Sequence, residues 1–150
     1  MKIDTINKKI LYFLQKDARM TYKDIAQELN RSETAIRDRI KALEQSGIIQ
    51  GYTALIDKTA LGLNCFAMIL ANAPSSDLDV VTEKIKHIKN VLRVYQISGE
   101  HRLAIFMVAS SFKELKEALQ KQVSSLGLTD EEIISVLDAD REFLSPIDIP

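Results

Sequence analysis

The spacing of helix caps between Thr21 and Gly47 constrains the fold of this chain more than any other feature of its sequence. Thr21 and Asp24 form a capping-box signature that begins a helix, and Asn30 tolerates the left-handed conformation in which helices often end. Ser32 is placed to cap a second, longer helix, which Gly47 ends. Two capped helices joined by a turn of about three or four residues predict a helix-turn-helix.

A helix before this pair completes a small three-helix bundle. Asp4 is placed to cap it, and apolar residues recur at helical spacing on one face of each helix. These residues are Ile6, Ile10, Phe13 and Leu14 in the first helix, Ile25, Ala26 and Leu29 in the second, and Ile36, Ile40 and Leu43 in the third. We therefore predict a helix-turn-helix domain over residues 1–50.

The cationic residues of the third helix lie mostly opposite its apolar face. At about 100° per residue, Arg37 and Lys41 fall on the far side of the helix from Ile36. Arg39 lies about 60° from the apolar stripe and borders the core, so it is either a further DNA contact or the partner of an acid such as Asp24 or Glu28. Two interpretations of the far side stay open: a solvated surface, and a surface that enters the DNA major groove.

The distribution of charge along the chain favours DNA. Residues 1–62 carry 11 Lys and Arg against 8 Asp and Glu, a net of +3, within a chain of net charge -1. Residues 63–150 carry 9 against 13, a net of -4. In the DNA interpretation, the contacts come from the turn and the third helix, through Arg31, Ser32, Glu33, Thr34, Arg37 and Lys41.

The motif R-I-x-x-L-E-x-x-G-x-I-x-G-Y runs from Arg39 to Tyr52. Through this motif, and across residues 4–57, the chain resembles the DNA-binding domain of the Lrp/AsnC (leucine-responsive, feast/famine) family of bacterial and archaeal regulators. The resemblance implies that Thr21–Lys41 is the unit that reads double-stranded DNA, with Thr21 and Tyr22 at its start. It also implies that Ser32–Lys41 is the recognition helix.

The segment after the third helix is rich in residues that favour β-structure. Ile48–Asp57 predicts a strand or short wing, which leads into a connector ending near Gly62. We therefore expect a β-strand linker over residues 51–62.

The C-terminal part alternates strands and helices in the order βαββαβ, which predicts a ferredoxin-like domain over residues 63–150. The predicted strands are Cys65–Ala71, Val91–Ile97, Leu103–Ala109 and Ile133–Leu137. One predicted helix begins at Ser76 or Asp77, and the other begins at a capping box of Ser111 and Glu114. The whole chain is then an α+β protein with a winged helix-turn-helix followed by a regulatory domain.

Two of these strands are apolar on both faces. LAIFMVA has no polar residue, and FAMIL reads the same way, whereas a sheet with one solvated face alternates polar and apolar residues. Two helices cover only one face, so we expect the other face to be buried against a second copy in a homodimer. The resemblance implies that such dimers join into tetramers or octamers.

The turn between the second and third strands carries three ionisable residues. It consists of Ser98, Gly99, Glu100, His101 and Arg102. By itself it is either an exposed charged turn or a ligand site, and the resemblance implies an amino-acid effector site beside it. The family has an aspartate where this chain has Arg102, which leaves open a usual amino acid bound differently, a different effector such as an acidic one, or none.

The sequence predicts neither an enzyme nor a cofactor. It has no glycine-rich phosphate loop and no cluster of cysteine and histidine that predicts a catalytic or metal site. Cys65 is interpreted as a buried thiol, and His87 as a surface residue. The uncharged stretch over residues 59–76 is interrupted by Gly62 and Pro74 and is too short in its apolar centre for a membrane helix, and the N-terminus does not resemble a signal peptide, so we expect a cytoplasmic protein with no membrane partner.

These features together predict a sequence-specific transcriptional regulator that binds promoter DNA as an oligomer of dimers and responds to an amino acid or related metabolite. Two alternatives stay open. One is an architectural protein that wraps DNA with low sequence specificity and no effector. The other is a metabolite-binding protein whose N-terminal domain has lost DNA binding.

Overall fold

The computed structural model describes residues 3–137, which form two compact units. The first unit runs as far as Leu55, and the second begins at Ile56. This division lies inside the connector that the sequence analysis expects over residues 51–62.

The first unit contains three helices: α1 (Thr5–Lys16), α2 (Tyr22–Leu29) and α3 (Glu33–Gln45). Each begins as predicted, because the side chains of Asp4, Thr21 and Ser32 accept a hydrogen bond from the backbone N–H three residues later. Asn30 ends α2 with a φ of 51°, the left-handed conformation predicted for it. The core between the helices contains the fully buried Ile10, Ile25, Ile36 and Leu43 together with Ile40 and Ala26.

The chain turns sharply after α3. Gly47 has a φ of 72°, and the N–H groups of Ile48 and Ile49 both donate to the carbonyl of Leu43, at 3.0 and 3.1 Å. The predicted strand over residues 48–57 is wrong for the single chain, because the described part of the first unit offers no second strand with which it could form a ladder. Ile49 packs against the helical core, and the residues that follow leave it, so that Tyr52 and Leu55 are exposed.

The second unit has the predicted βαββαβ order. Its elements are β1 (Cys65–Asn72), α4 (Leu78–Lys86), β2 (Val91–Gln96), β3 (Leu103–Ala109), α5 (Phe112–Ala118) and β4 (Thr129–Ser135). A short 3-10 turn (Thr59–Leu61) precedes β1, and a π-helical turn (Leu119–Val123) and a second 3-10 turn (Ser124–Leu126) extend α5. The strands form one antiparallel sheet in the order β2-β3-β1-β4.

The last strand begins earlier than predicted. β4 starts at Thr129, which pairs with Asn72 beyond an irregularity in the register after Leu70, and it ends at Ser135, before the predicted end at Leu137. The first half of β4 is polar and exposed because the strand lies at the edge of the sheet, so its sequence lacks the apolar pattern that marked the other strands. The predicted capping box of α5 is half right. Ser111 caps the helix, but the Glu114 carboxylate bonds to Ser110 instead of returning to the cap.

The two faces of the sheet differ. One face packs against the helices, with Ala67, Ile69 and Ala71 of β1 fully buried there. On the opposite face, which we call the outer face, Phe66 and Phe106 stack with ring centroids 6.0 Å apart, and Tyr95 meets Phe106 edge-on at 5.9 Å. Six large apolar side chains of this outer face are half-buried or exposed: Phe66, Met68, Leu70, Tyr95, Phe106 and Ile134. The smaller Ala104 and Val108 on the same face of β3 are buried, and Arg93 lies opposite Phe106.

Candidate nucleic-acid interface

The two sides of α3 separate as the helical period predicts. Ile36, Ile40 and Leu43 are buried in the core, whereas Arg37 and Lys41 are exposed. Lys41 stands one turn after Arg37, so the two cations lie along one line of the helix surface. The result is a solvent-facing side with positive charge, which we call the outward face of α3.

The first turn of α3 is held in place by its cap. Ser32 Oγ accepts from the N–H of Ala35 at 3.2 Å, and Glu33 and Thr34 are exposed beside it. Arg31 lies in the preceding turn, where its N–H donates to the carbonyl of Ala26 and its Nη1 donates to the carbonyl of Asn30, both at 2.9 Å. The predicted contacts of this turn are therefore brought together at the start of the helix.

Arg37 is the centre of a small surface cluster between α2 and α3. Its Nη2 lies 2.8 Å from Glu33 Oε1, one turn earlier on the same helix. Its guanidinium lies 5.6 Å from the centroid of the Tyr22 ring, close enough for a cation–π contact. Tyr22, Glu33 and Arg37 are thus brought together, and the guanidinium has a defined position before any DNA is bound.

Thr21 is committed to the helix cap. Its hydroxyl donates to Asp24 Oδ2 at 2.7 Å and accepts from the Asp24 N–H at 3.2 Å. The hydrogen bond from the hydroxyl is the main reason that the pKa of Asp24 is lowered from its ordinary value. Thr21 was predicted as a contact to DNA, but the geometry gives its side chain the task of starting α2.

Arg39 pairs with a different acid from those predicted. Its Nη1 donates to Asp4 Oδ2 at 2.7 Å and to Asn7 Oδ1 at 2.9 Å, so both expected partners, Asp24 and Glu28, are wrong. The Asn7 N–H and then Arg39 lower the pKa of Asp4. Arg39 borders the core, as its helical position predicted, but its charged end lies against α1 and away from the line of Arg37 and Lys41.

A groove of about 340 Å³ opens where the three helices meet. On one wall Tyr52 donates its hydroxyl hydrogen to Glu44 Oε1 at 2.9 Å, and burial together with this carboxylate raises the pKa of Tyr52 to about 12. The Tyr52–Glu44 contact was missed from the sequence, although both residues belong to the motif that carries the family resemblance. The groove is lined by Leu14, Ala18, Met20, Thr21, Tyr22, Ile40, Glu44 and Tyr52.

The turn from Ser98 to Arg102 is held by backbone contacts. The N–H of Ile97 donates to the carbonyl of Arg102 at 2.8 Å, and the N–H of Arg102 donates to the side-chain oxygen of Asn72 at 3.0 Å. Ser98, Gly99, Glu100 and Arg102 are exposed, and His101 is half-buried.

Asn72 is a residue of this turn region that the sequence analysis missed. Its side-chain nitrogen donates to the carbonyl of Glu100 at 3.1 Å and to Asp130 Oδ2 at 3.2 Å. It thereby joins the turn to the edge strand β4. The available signal was its place as the one amide in an otherwise apolar strand.

Two further residues were assigned an environment from the sequence. Cys65 was predicted to be buried but is half-buried at the start of β1, and burial raises the pKa of its thiol. His87 is exposed, with Nε2 3.4 Å from Glu83 Oε1. Over residues 3–137 the structure holds no group of three or more potential metal-binding side chains. No helix in the same range combines the length and the apolar character needed to cross a bilayer.

Known proteins resemble the chain in both of its parts. A family profile for winged helix-turn-helix DNA-binding matches residues 3–50. The transcriptional regulator LrpA of Pyrococcus horikoshii is 36% identical over 128 residues, which cover 85% of this chain and 91% of that protein. The regulator FL11 of Pyrococcus furiosus is 29% identical over 140 residues, covering 93% of both.

Solved structures share the fold over almost the whole length. AsnC of Escherichia coli superposes with a TM-score of 0.85 at 23% identity, covering 97% of this chain and 100% of its own. A transcriptional regulator of Neisseria meningitidis in complex with L-methionine superposes with a TM-score of 0.87 at 20% identity, covering 96% of both chains. With a relative at 36% identity along most of the chain and a helix-turn-helix at its N-terminus, the protein belongs to the Lrp/AsnC family of DNA-binding transcriptional regulators.

Proposed function

We propose that the protein binds promoter DNA as a homodimer or larger assembly, with the outward face of α3 in the major groove. The observation that carries this proposal is the separation on α3, where apolar side chains are fully inside the core and Arg37 and Lys41 are both in solvent. A helix packed in this way turns the side with Arg37 and Lys41 towards a polyanion, although the exposed Asp38 on the same side reduces the positive charge.

The residues on the outward face of α3 and in the turn before it have different proposed roles in binding DNA. Lys41 is a flexible point charge suited to a phosphate, and Arg37 has the planar fork that suits a guanine edge or a phosphate. Arg31 reaches a phosphate beside the turn, while Ser32 and Thr34 lie at the helix start, where recognition helices meet base edges. Arg37 exchanges its exposed ion pair with Glu33 for a contact with DNA at little cost, because such pairs contribute about 1 kcal/mol or less.

The homodimer forms through the outer face of the sheet. Phe66, Met68 and Phe106 lie side by side there, since β1 and β3 pair with Met68 opposite Phe106. Leaving a contiguous apolar surface in water is unfavourable, and a second copy of the same sheet covers it. The two helix-turn-helix units of such a dimer then reach half-sites about 34 Å apart, or a multiple of this distance, on one side of the DNA.

The turn from Ser98 to Arg102 is the proposed effector site. The structural relative that was solved with L-methionine supports an amino acid or a related small molecule as the class of ligand. Arg102 favours a ligand with a carboxylate, because a guanidinium binds a carboxylate through two parallel hydrogen bonds. A thermal-shift screen of amino acids and keto acids tests this site. We expect a carboxylate ligand to raise the melting midpoint of the parent, and to raise that of Arg102→Ala less. A screen in which no compound shifts the midpoint contradicts the proposed site.

The DNA proposal is tested by binding to the promoter fragment of the protein's own gene across a salt series. Arg37→Ala and Lys41→Ala each weaken binding, and each makes the negative slope of log K against log salt shallower by about 1, because each removes one phosphate contact. Lys84→Ala is the matched control, since it removes an exposed lysine of the same charge from α4 in the second unit. Parent-like affinity and slope in both α3 variants would show that the wrong face has been assigned.

A further inference from the structure

One ion pair of the first unit joins residues that are far apart in sequence. Arg39, in the middle of α3, donates through a single nitrogen to Asp4 Oδ2 at 2.7 Å and to Asn7 Oδ1 at 2.9 Å. These partners lie 35 and 32 residues away, at the start of α1. We call this group the Asp4–Arg39 clamp, with Asn7 as its third member.

Asp4 serves the two helices at once. Its Oδ1 accepts from the N–H of Asn7 at 2.8 Å and so caps α1, while its Oδ2 accepts from Arg39. Asn7 is only 6% exposed, which means that packing fixes its position. A carboxylate held by a cap and an amide held by burial give Arg39 an acceptor pair with little freedom to move.

The charge of Arg39 is used differently from that of its neighbours on α3. Its side chain is 33% exposed, compared with 54% for Arg37, and its guanidinium donates two hydrogen bonds to residues at the start of α1. A cation held in this way adds little to the field that DNA meets, because Asp4 neutralises it at contact distance. The two hydrogen bonds of Arg39 instead connect the middle of α3 to the first turn of α1.

We propose that Arg39 is a positioning residue, which holds α3 at a fixed rotation and tilt against α1 through Asp4 and Asn7, and that it makes no contact with DNA itself. This inference rests on the proposed function, since it concerns how the outward face of α3 is aimed. Rotation of α3 by a loosened clamp moves Arg37 and Lys41 together, so one lost ion pair weakens several DNA contacts at once.

The test uses Asp4→Asn, Arg39→Gln and the double variant in the full-length protein. Asparagine is as good an N-cap as aspartate, so Asp4→Asn keeps the start of α1 and removes the charge together with the oxygen that accepts from Arg39. Each single variant weakens DNA binding about tenfold, because Arg37 and Lys41 both lose their best geometry, but the salt slope stays that of the parent because both charges remain near the phosphates. The double variant binds no more weakly than either single one, because both changes break the same interaction.

Of the three variants, Asp4→Asn best separates a positioning role of the clamp from a purely electrostatic effect on DNA binding. It removes a negative charge from a DNA-binding unit, so a purely electrostatic account expects equal or tighter binding, whereas the clamp requires weaker binding. Melting temperatures are recorded for all variants, and binding is measured well below the lowest of them. A loss of melting temperature without a loss of DNA affinity would reduce the clamp to a structural contact and overturn the inference.

Two further outcomes overturn it. If the slope of log K against log salt were shallower by about 1 in Arg39→Gln than in the parent, Arg39 would be identified as a phosphate contact. Parent-like binding of Asp4→Asn would show that the clamp does not aim α3. If Arg37→Ala and Lys41→Ala still weaken binding in the same assay, only this inference fails, whereas parent-like binding of those two variants means that the proposed function itself has failed.

Discussion

The two units of the molecule complete their apolar surfaces in opposite ways. The three helices of the first unit enclose their own core, with Ile10, Ile25 and Ile36 fully buried, and they leave charged side chains in solvent. The sheet of the second unit has helices of that unit on one face only, and its outer face carries Phe66 and Phe106, which none of the described helices of that unit covers. The helical core of the first unit is closed within a single chain, whereas the outer face of the second unit's sheet is not covered by that unit.

This difference fits the two functions proposed for the units, which are DNA binding for the first and self-association for the second. A unit that closes its own core is free to use its surface for a polyanion, and the basic excess of residues 1–62 lies in that part of the chain. Under the proposed function, the unit with the uncovered apolar face associates with a second copy, and this association sets how many DNA-binding units act together. We expect changes in the outer face to act on assembly, and changes in α3 to act on DNA binding alone.

The largest effect is expected from Phe106→Asp. A carboxylate at position 106 places a charge among apolar side chains, and burying it between two sheets is unfavourable even though Arg93 lies opposite Phe106 on β2. The variant sediments as a monomer at micromolar concentration, and its DNA affinity falls about a hundredfold because the two helix-turn-helix units are no longer linked. Val80→Asp is the control, since Val80 is exposed on α4, and it stays a dimer. If Phe106→Asp remained a dimer, the outer face would not be the surface through which two copies associate.

A smaller effect is expected from the two serine caps, which form a matched pair. Ser32 caps α3 and Ser111 caps α5 through hydrogen bonds of 3.2 and 3.3 Å, and replacing either by alanine costs about 1 kcal/mol. Hydrogen exchange detects the loss of protection in α3 for Ser32→Ala and in α5 for Ser111→Ala. Only Ser32→Ala weakens DNA binding. Equal weakening by Ser111→Ala would mean that the two units do not have separate tasks.

The smallest effect concerns Tyr52, which lies near the end of the first unit. Because its pKa is raised to about 12, the folded state keeps the phenol proton between pH 10 and pH 12 while the unfolded chain loses it. The stabilisation is therefore complete below about pH 10 and disappears as the pH rises towards 12. An alkaline absorbance titration of Tyr52→Phe lacks the most basic phenolate component, and a Tyr52→Phe titration that retains this component would place it on another tyrosine.

Local features of the structure followed from the sequence, and contacts between distant residues did not. The caps at Asp4, Thr21 and Ser32 were predicted correctly because each depends on a side chain and a backbone group three residues apart. The buried and exposed sides of α3 followed from the helical period alone. The predicted strand over residues 48–57 failed because a strand depends on a partner that the described residues of the first unit do not supply.

The same limit applies to the site residues. The helical position of Arg39 placed it at the edge of the core, but its partner Asp4 lies 35 residues away and only the packing of α1 on α3 brings the two together. Asn72 is joined to Glu100 and Asp130 by the order of strands in the sheet, which the spacing of these residues does not contain. The early start of β4 was hidden because an exposed edge strand tolerates polar residues.

The most direct test of the central claim is a hydroxyl-radical footprint on the promoter fragment, comparing the parent protein with Arg37→Ala and Phe106→Asp. The account predicts that the parent protects two patches of DNA backbone about 34 Å apart, or a multiple of this distance, on one side of the duplex. Arg37→Ala weakens both patches equally, and Phe106→Asp abolishes their pairing at the same protein concentration. A parent footprint without this spacing, or one that both variants reproduce, would contradict the account.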